Sequence, residues 1–337
     1  MDKHPTPSLD IPQFGKDQIA LLERLSNACA LSGDEGEVRK IVLEEIKPVA
    51  DEIKIDALGN VLATHKAQQD APLKVMCSAH MDEVGFMIVQ DEENGFYRFE
   101  IIGGIDVRQV PGKSVWVGKD HIPGVIGARP IHLQKKDERK STMALENLHI
   151  DCAEAGKVKP GDRVAFATRF RQIGPSLLGK ALDDRLGVAT LIELFKHAPR
   201  HIDFQAAFTV QEEIGLRGAR VAAHAFNPDL AIAIDSTPAR DLPSWDGSEN
   251  AAYNTRLGEG AAIYIADSST LSDPRLIKHL EKIGDAHHIK YQFRQPGGGG
   301  TDAGAIHRVR SGIPSISVSV PGRYAHTAVM LARFSDW

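Results

Sequence analysis

The strongest constraint on the fold comes from short apolar runs that lack the in-and-out alternation of a half-exposed strand. Asn60 to Thr64 and Val75 to Ala79 are of this kind and read as strands covered on both faces. Gln205 to Val210, Leu230 to Ile234 and Ser315 to Val320 continue the pattern. Strands covered twice need helices, and helical spacing supplies them. Ile19, Leu21, Leu22, Leu25 and Ala28 recur between Lys16 and Ala30, and a second periodic stretch follows Ser32-Gly33-Asp34 from Val38 to Val49. Asp184 to His197 and Asp273 to His287 also read as helices, and Ile289 to Phe293 as a short extended segment. The expectation is an α/β fold with a central sheet flanked by helices.

After Gly85 the texture changes. Phe86 to Val89, Tyr97 to Ile102, Ser114 to Val117 and Val125 to Ala128 are separated by Glu-Asn-Gly, Gly-Gly and Pro-Gly turn signals, which predicts a small all-β unit. Gln134 to Asn147 is polar and weakly periodic, as in a mobile loop, and Lys159 to Asp162 is a tight turn before a strand from Val164 to Ala167. The boundaries fall at residues 85–167 for the insert, with 1–84 and 168–337 forming the α/β domain.

Composition narrows the function. Over 337 residues, 40 Lys and Arg against 45 Asp and Glu leave a net charge of -5, so no broad basic field exists to grip a phosphate backbone. Nucleic-acid binding is excluded as the main role. Cys29, Cys77 and Cys152 are widely spaced and form no Cys-x-x-Cys pair, so they read as reduced thiols. The start, MDKHPTPSLDIPQFG, has no apolar signal-peptide core, and no run reaches the roughly 18 apolar residues of a membrane span. A cytoplasmic protein is expected, without membrane or nucleic-acid partners.

Polar residues at the exits of these strands carry the chemistry, because ligands in open α/β sheets gather beyond the carboxyl ends of strands. His80 follows VMCSA, and Asp82 points the same way in an extended segment, as ligand or as a group orienting the imidazole. Asp183 and Asp184 open a helix, where one carboxylate would suffice as a cap and the other is free to bridge cations. Glu212 and Glu213 follow AAFTV, so that one could bind metal while the other faces the substrate. Asp235 follows LAIAI, where burial would require a cation or several donors, and His326 comes soon after SISVSV. Together His80, Asp183, Glu213, Asp235 and His326 offer imidazoles and carboxylates enough for two divalent ions about 3.5 Å apart, with one carboxylate shared. Zinc suits this set, and cobalt or manganese could also accept it. Such a pair would hold a bridging hydroxide near neutral pH.

The segments AHMDEVGFM, GKALDDRLG, QEEIGLRGA, AIDS, GGGGTDAGAIH and GIPSISVSVPGRYAH together resemble the tetrahedral (TET) glutamyl or deblocking aminopeptidases, a family of co-catalytic dinuclear metallopeptidases. The likeness runs in the same order from about Gln18 to the end of the sequence. It implies a mixed sheet of the zinc-aminopeptidase type and hydrolysis of the N-terminal residue from peptides. It further implies His80 and Asp235 on one metal, Glu213 and His326 on the other, Asp183 bridging, Glu212 as general base and Asp82 orienting His80. A β-barrel insert serving dimerisation, and dimers joining into a hollow dodecamer, belong to the same implication. The pattern departs in two places. Relatives often carry a Glu a few residues beyond the last histidine, where this chain reads Thr327-Ala328-Val329-Met330, and they usually continue with a helix where it reads Ser335-Asp336-Trp337.

Gly297 to Gly300 lacks the Gly-Lys-Ser/Thr of a P-loop and predicts close passage of backbone near the cleft, with Asp302 capping the next helix and His307 packing within it. Two other readings share these residues. A dinuclear deacylase or amidohydrolase of acylated metabolites could use the same metals, and a non-catalytic assembly protein could share the fold. The latter needs neither the ligand set nor Glu212.

Overall fold

The computed structural model describes residues 13–70, 72–135, 140, 143–152, 156–243 and 255–337. Helices α1 (Lys16–Asn27) and α2 (Gly36–Ile46) lead into strands β1 (Glu52–Ile55), β2 (Val61–His65) and β3 (Leu73–His80). Six strands follow, β4 (Gly85–Asp91), β5 (Phe96–Ile102), β6 (Ser114–Val117), β7 (Ile122–Gly127), β8 (His149–Cys152) and β9 (Arg163–Phe166), and they close a barrel in the order β4-β5-β8-β7-β6-β9. The chain then re-enters the main sheet with β10 (Arg171–Ile173), β11 (Ser176–Gly179), helix α3 (Leu182–Lys196), β12 (Ile202–Thr209), α4 (Arg217–Phe226) and β13 (Leu230–Pro238). It ends with β14 (Ala261–Tyr264), α5 (Pro274–His287), β15 (Tyr291–Arg294), the short α6 (Asp302–Ile306), β16 (Ser315–Arg323) and β17 (Met330–Arg333).

The main sheet is mixed, ordered β1-β2-β12-β3-β13-β16-β17-β11-β10, and its centre, β12-β3-β13-β16, is parallel. The missing polar alternation now has a cause. On β12, Phe204, Ala206 and Phe208 face one side and pack with Leu25, Val42, Leu191 and Phe195 of α1, α2 and α3. Ala207 faces the other, against Ala219, Ala222 and Ala223 of α4 and Ile306 of α6. Both faces of the strand are therefore buried, with the smaller side chains toward α4, where a helix with an alanine face can approach closely. In the barrel, Phe86 meets Phe99 and Phe166 edge-on at 5.1 and 5.3 Å between ring centroids. Among the described residues no helix is long and apolar enough to cross a membrane.

Several sequence expectations shift. The strand expected to stop at Ile234 runs to Pro238, so Asp235 lies inside it, in register with Ser319 of β16. Strands β1, β8, β10, β11, β14 and β17, of three or four residues each, and helix α4 are not among the elements expected from the sequence. Asp302 does not cap α6: Thr301 holds that position, and Asp302 is the first helical residue. The tight approach at this glycine-rich segment is to Ser269, which a side chain at Gly300 or Gly304 would strike. Much of the polar loop expected at Gln134 to Asn147 lies outside the described residues.

One buried ion cluster ties the site-bearing loops together. Glu83, just past β3, accepts from Lys180 Nζ at 2.8 and 2.9 Å, from Arg185 Nη2 at 3.0 Å and from the Ala30 amide at 3.0 Å. Lys180 also donates to the Ala28 carbonyl at 2.6 Å, and Arg185 to the carbonyls of Leu25, at 3.1 Å, and Met81. The exit of β3, the exit of β11, the start of α3 and the end of α1 thus meet on one carboxylate. Removing it would strand two buried cations, which typically costs about 3–5 kcal/mol. Glu83→Gln is expected to lower the urea unfolding midpoint by the equivalent of that loss; an unchanged midpoint would mean the cluster is not a structural keystone.

Candidate metal centre

The parallel centre of the sheet sends the exits of β3, β12 and β16 to one edge, and the turn after β11 reaches the same place. His80 is the last residue of β3, in register with Thr209 at the end of β12. Its Nδ1 lies 3.1 Å from the Asp82 carbonyl. A carbonyl only accepts, so Nδ1 carries the hydrogen and Nε2 is presented to the centre. His326 is held in the same way: its Nδ1 lies 3.0 Å from the carbonyl of Gly104, contributed by the loop after β5 of the barrel.

Asp183 stands between the two rings. One oxygen lies 3.3 Å from His80 Nε2 and the other 3.4 Å from His326 Nε2. Glu213 is 3.4 Å from His326 Nε2, and Asp235 is 3.8 Å from His80 Nε2. The five candidates that the sequence scatters from position 80 to 326 are thus neighbours. Asp184 resolves the doubled carboxylate at the start of α3. Its Oδ1 accepts the Gly187 amide at 3.0 Å, the bond expected of a helix cap, which leaves Asp183 free of that task.

Asp82 holds the acidic turn in place. Its carboxylate accepts from the amides of Glu212 and Glu213 at 3.0 and 3.2 Å and from the Ser32 hydroxyl at 2.6 Å. The orienting contact to His80 comes from the Asp82 carbonyl, while the carboxylate stands 3.6 Å away. The loops themselves are bent unusually. Ala181, Gln211, Tyr324 and His326 all adopt left-handed backbone, with φ of 53, 56, 67 and 58°. Non-glycine residues rarely sit there, and such strain concentrates at functional sites.

Electrostatically the centre is crowded with acids. Burial pushes Glu213 up to about 8 and holds Glu212 and Asp184 well above the usual carboxylate range, and the carboxyl of Asp235 adds to the effect on both. Burial alone would lower the histidines. It is outweighed by Asp183 and Glu213, which push His326 up to about 10, and by Asp183, Asp235 and Asp82, which hold His80 well above its ordinary value. Asp183 is held low against its own burial by the two imidazoles. Asp302, which sequence reasoning took for a helix cap, is a further buried acid pushed up to about 6 by burial; Thr209 donates to one of its oxygens at 2.7 Å. The other oxygen of Asp302 and Oδ2 of Asp184 are buried without a partner.

Divalent cations fit this cluster. His80, Asp183 and Glu213 offer ligand atoms within 4.8 Å of one another, and so do His80, Asp184 and Asp235. Buried carboxylates without cations are costly, and a set of imidazole nitrogens and carboxylate oxygens suits zinc-class ions. Beside Glu213 and His326 runs a narrow slot lined by Val84, Phe166, Leu182, Thr327 and Met330. A broader hollow of about 770 Å³, lined by Lys54, Lys66, Lys74 and Asp203, lies at the opposite ends of β3 and β12 and has none of these groups.

An α/β sheet that gathers imidazoles and acids at its strand exits defines a metallohydrolase class. Residues 59–337 match the M42 glutamyl aminopeptidase family, and the chain belongs to it. It is 31% identical over 336 residues to the glutamyl aminopeptidase of Lactococcus lactis subsp. cremoris, covering 94% of this chain and 91% of that one. It superposes on the TET aminopeptidase of the marine sediment archaeon Thaumarchaeota archaeon SCGC AB-539-E09 with a TM-score of 0.89 at 32% identity, over 95% and 92% of the two chains. The Pyrococcus horikoshii TET1 peptidase, which can assemble into a tetrahedron or a large octahedral shell, gives 0.82 at 32%, over 95% of each chain. The chain is therefore a peptidase of the aminopeptidase type, and the family implies divalent metal ions.

The pKa directions set how cations load. His326, pushed up to about 10, and Glu213, pushed up to about 8, carry protons near neutral pH that a cation bound to them must displace. Zinc binding is expected to release protons, and its apparent affinity to weaken as the pH falls from about 8 to about 6. Calorimetric titration in buffers of different ionisation enthalpy measures this directly; uptake with no proton release would contradict the assigned directions.

Proposed function

We propose that this chain is a two-metal aminopeptidase in which His80, Asp183 and Asp235 would hold one ion and Asp183, Glu213 and His326 the other, with zinc as the metal. The observation that carries this reading is the placement of Asp183, whose two oxygens each face a different imidazole. When bound, the ions would acidify an attacking water and polarise the scissile carbonyl. Glu212 acts as the proton carrier, taking a proton from the attacking water and passing it to the departing amine. Its amide anchor on Asp82 fixes the residue at this edge. Asp82 positions His80 and the Glu212–Glu213 turn and does not itself touch the substrate.

The same crowding favours a free α-ammonium at the substrate end over an acyl cap. A cationic amine would be stabilised beside any carboxylate that protons and metal leave charged, whereas a neutral acyl group would gain nothing from it. This distinguishes an aminopeptidase from a deacylase on the same metal set. The tetrahedral assembly open to a structural neighbour supports a larger homo-oligomer, and the family resemblance alone assigns dimerisation to the barrel, β4 to β9. The free cysteines Cys29, Cys77 and Cys152 fit a reducing cytoplasmic setting.

Activity profiling after chelation and metal add-back tests the reading. Aminoacyl anilides with a free amine are expected to be cleaved and N-acyl amino acids left intact. Glu212→Gln is expected to keep its metals and lose about 10²- to 10⁴-fold in turnover. Cleavage of acylated substrates alone, or near wild-type turnover in the metal-loaded variant, would refute the respective assignments.

A further inference from the structure

A second cluster of metal-ligating groups lies away from this centre, where the barrel meets the α/β domain. Cys29 follows α1, Glu37 sits in the first turn of α2, and His121 lies at the turn between β6 and β7. One ligand atom from each, a sulfur, a carboxylate oxygen and a ring nitrogen, falls within 4.8 Å of the others. His121 Nε2 is 2.6 Å from Glu37 Oε1, and Glu37 Oε2 accepts the Cys29 amide at 2.9 Å, which fixes the carboxylate between the Cys29 main chain and the imidazole. The hairpin is shaped for this contact: His121 adopts left-handed backbone with φ of 51°, and the Trp116 ring lies 6.4 Å from its own.

We propose that Cys29, Glu37 and His121 form a further divalent-metal site, for a zinc-class ion, that staples the barrel to the α/β domain. Thiolate, imidazole and carboxylate together select zinc-class ions over calcium or magnesium, which prefer oxygen alone. Tetrahedral zinc spaces its ligands by roughly 3.5 Å, so side-chain rotation suffices to close the cluster. A cavity of about 320 Å³, lined by Cys29, Glu37 and Trp116 and carrying Lys119 and Arg163 on its wall, gives the ion entry and leaves a fourth position for water or a small anion. Burial pushes the Cys29 thiol up to about 11. A bound ion would displace that proton, as metals do at coordinating thiols. Cys77 and Cys152, both buried, belong to no such cluster among the described residues.

The site shares no residue with the catalytic set, so the two readings can fail separately. The test is cobalt loading of the chelated full chain, with ions counted by elemental analysis and thiolate coordination read from sulfur-to-cobalt charge-transfer absorption in the near ultraviolet. Wild type is expected to show that absorption and to bind one ion more per subunit than Cys29→Ser or His121→Ala. Glu37→Gln, which preserves shape at the start of α2, is expected to lose the same ion and serves if the other variants fold poorly. Absence of the absorption in wild type, its persistence in Cys29→Ser, or equal ion counts would overturn the proposal. A chain that lacked ions at the catalytic cluster yet kept the absorption would refute the catalytic reading and support this one.

Discussion

Like charges forced together out of water are the constraint on which the rest of this structure depends. Asp82, Asp183, Asp184, Glu212, Glu213, Asp235 and Asp302 converge with His80 and His326 at one sheet edge, and most of them are buried. In a low-dielectric setting such a set repels itself strongly unless protons or cations neutralise it. The protein supplies some compensation of its own. Asp82 is saturated by two amides and a hydroxyl, Asp184 caps a helix with one oxygen, and Asp183 lies between two imidazoles. What remains uncompensated, at Asp184 Oδ2, Asp302 Oδ1 and the raised Glu212 and Glu213, is carboxyl burial that favours the protonated form and that the family's metal ions would relieve in place of protons.

Holding repelling groups in place needs a scaffold that does not yield, and the fold provides it at two levels. The parallel centre of the sheet fixes where β3, β12 and β16 end, so His80 and the Glu212–Glu213 turn are set by strand register. The Glu83 cluster then locks the loops between these exits to α1 and α3 with buried ionic hydrogen bonds. Its charges are paired, in contrast to those a few ångströms along the chain at Asp82 and His80. Left-handed residues at Ala181, Gln211 and His326 are the backbone conformations that turn side chains back over the edge. That strain persists because neighbouring packing determines it.

Legibility in the sequence followed the same division. Strands buried on both faces announce themselves through unbroken apolar runs, so β2, β3, β12 and β16 were readable, as was the position of each polar residue just beyond them. Asp235 was readable as a site residue although its strand runs past it, because an acid after LAIAI is anomalous whether it ends the strand or interrupts it. Short strands such as β10, at the sheet edge, and β17, inside it, leave little trace in three or four residues. The carbonyl of Gly104 could not be found at all, since main-chain acceptors carry no residue signature. Asp302 was misread for a related reason. A carboxylate before a short helix looks like a cap, and only tertiary packing against Thr209 reveals it as a buried acid.

The barrel is therefore more than an appendage to the α/β domain. Gly104, in the loop after β5, holds the ring of His326, and Phe166 at the end of β9 lines the slot beside it. On the far side His121 reaches Glu37 of α2. A rigid-body shift of the barrel would loosen the Gly104 hydrogen bond. His326 would then lose the contact that fixes which nitrogen faces Asp183 and Glu213. Geometry at the centre thus depends on a loop that belongs to the inserted unit, and anything that fixes the barrel's position, a bound ion or a neighbouring subunit, also fixes one of the two imidazoles.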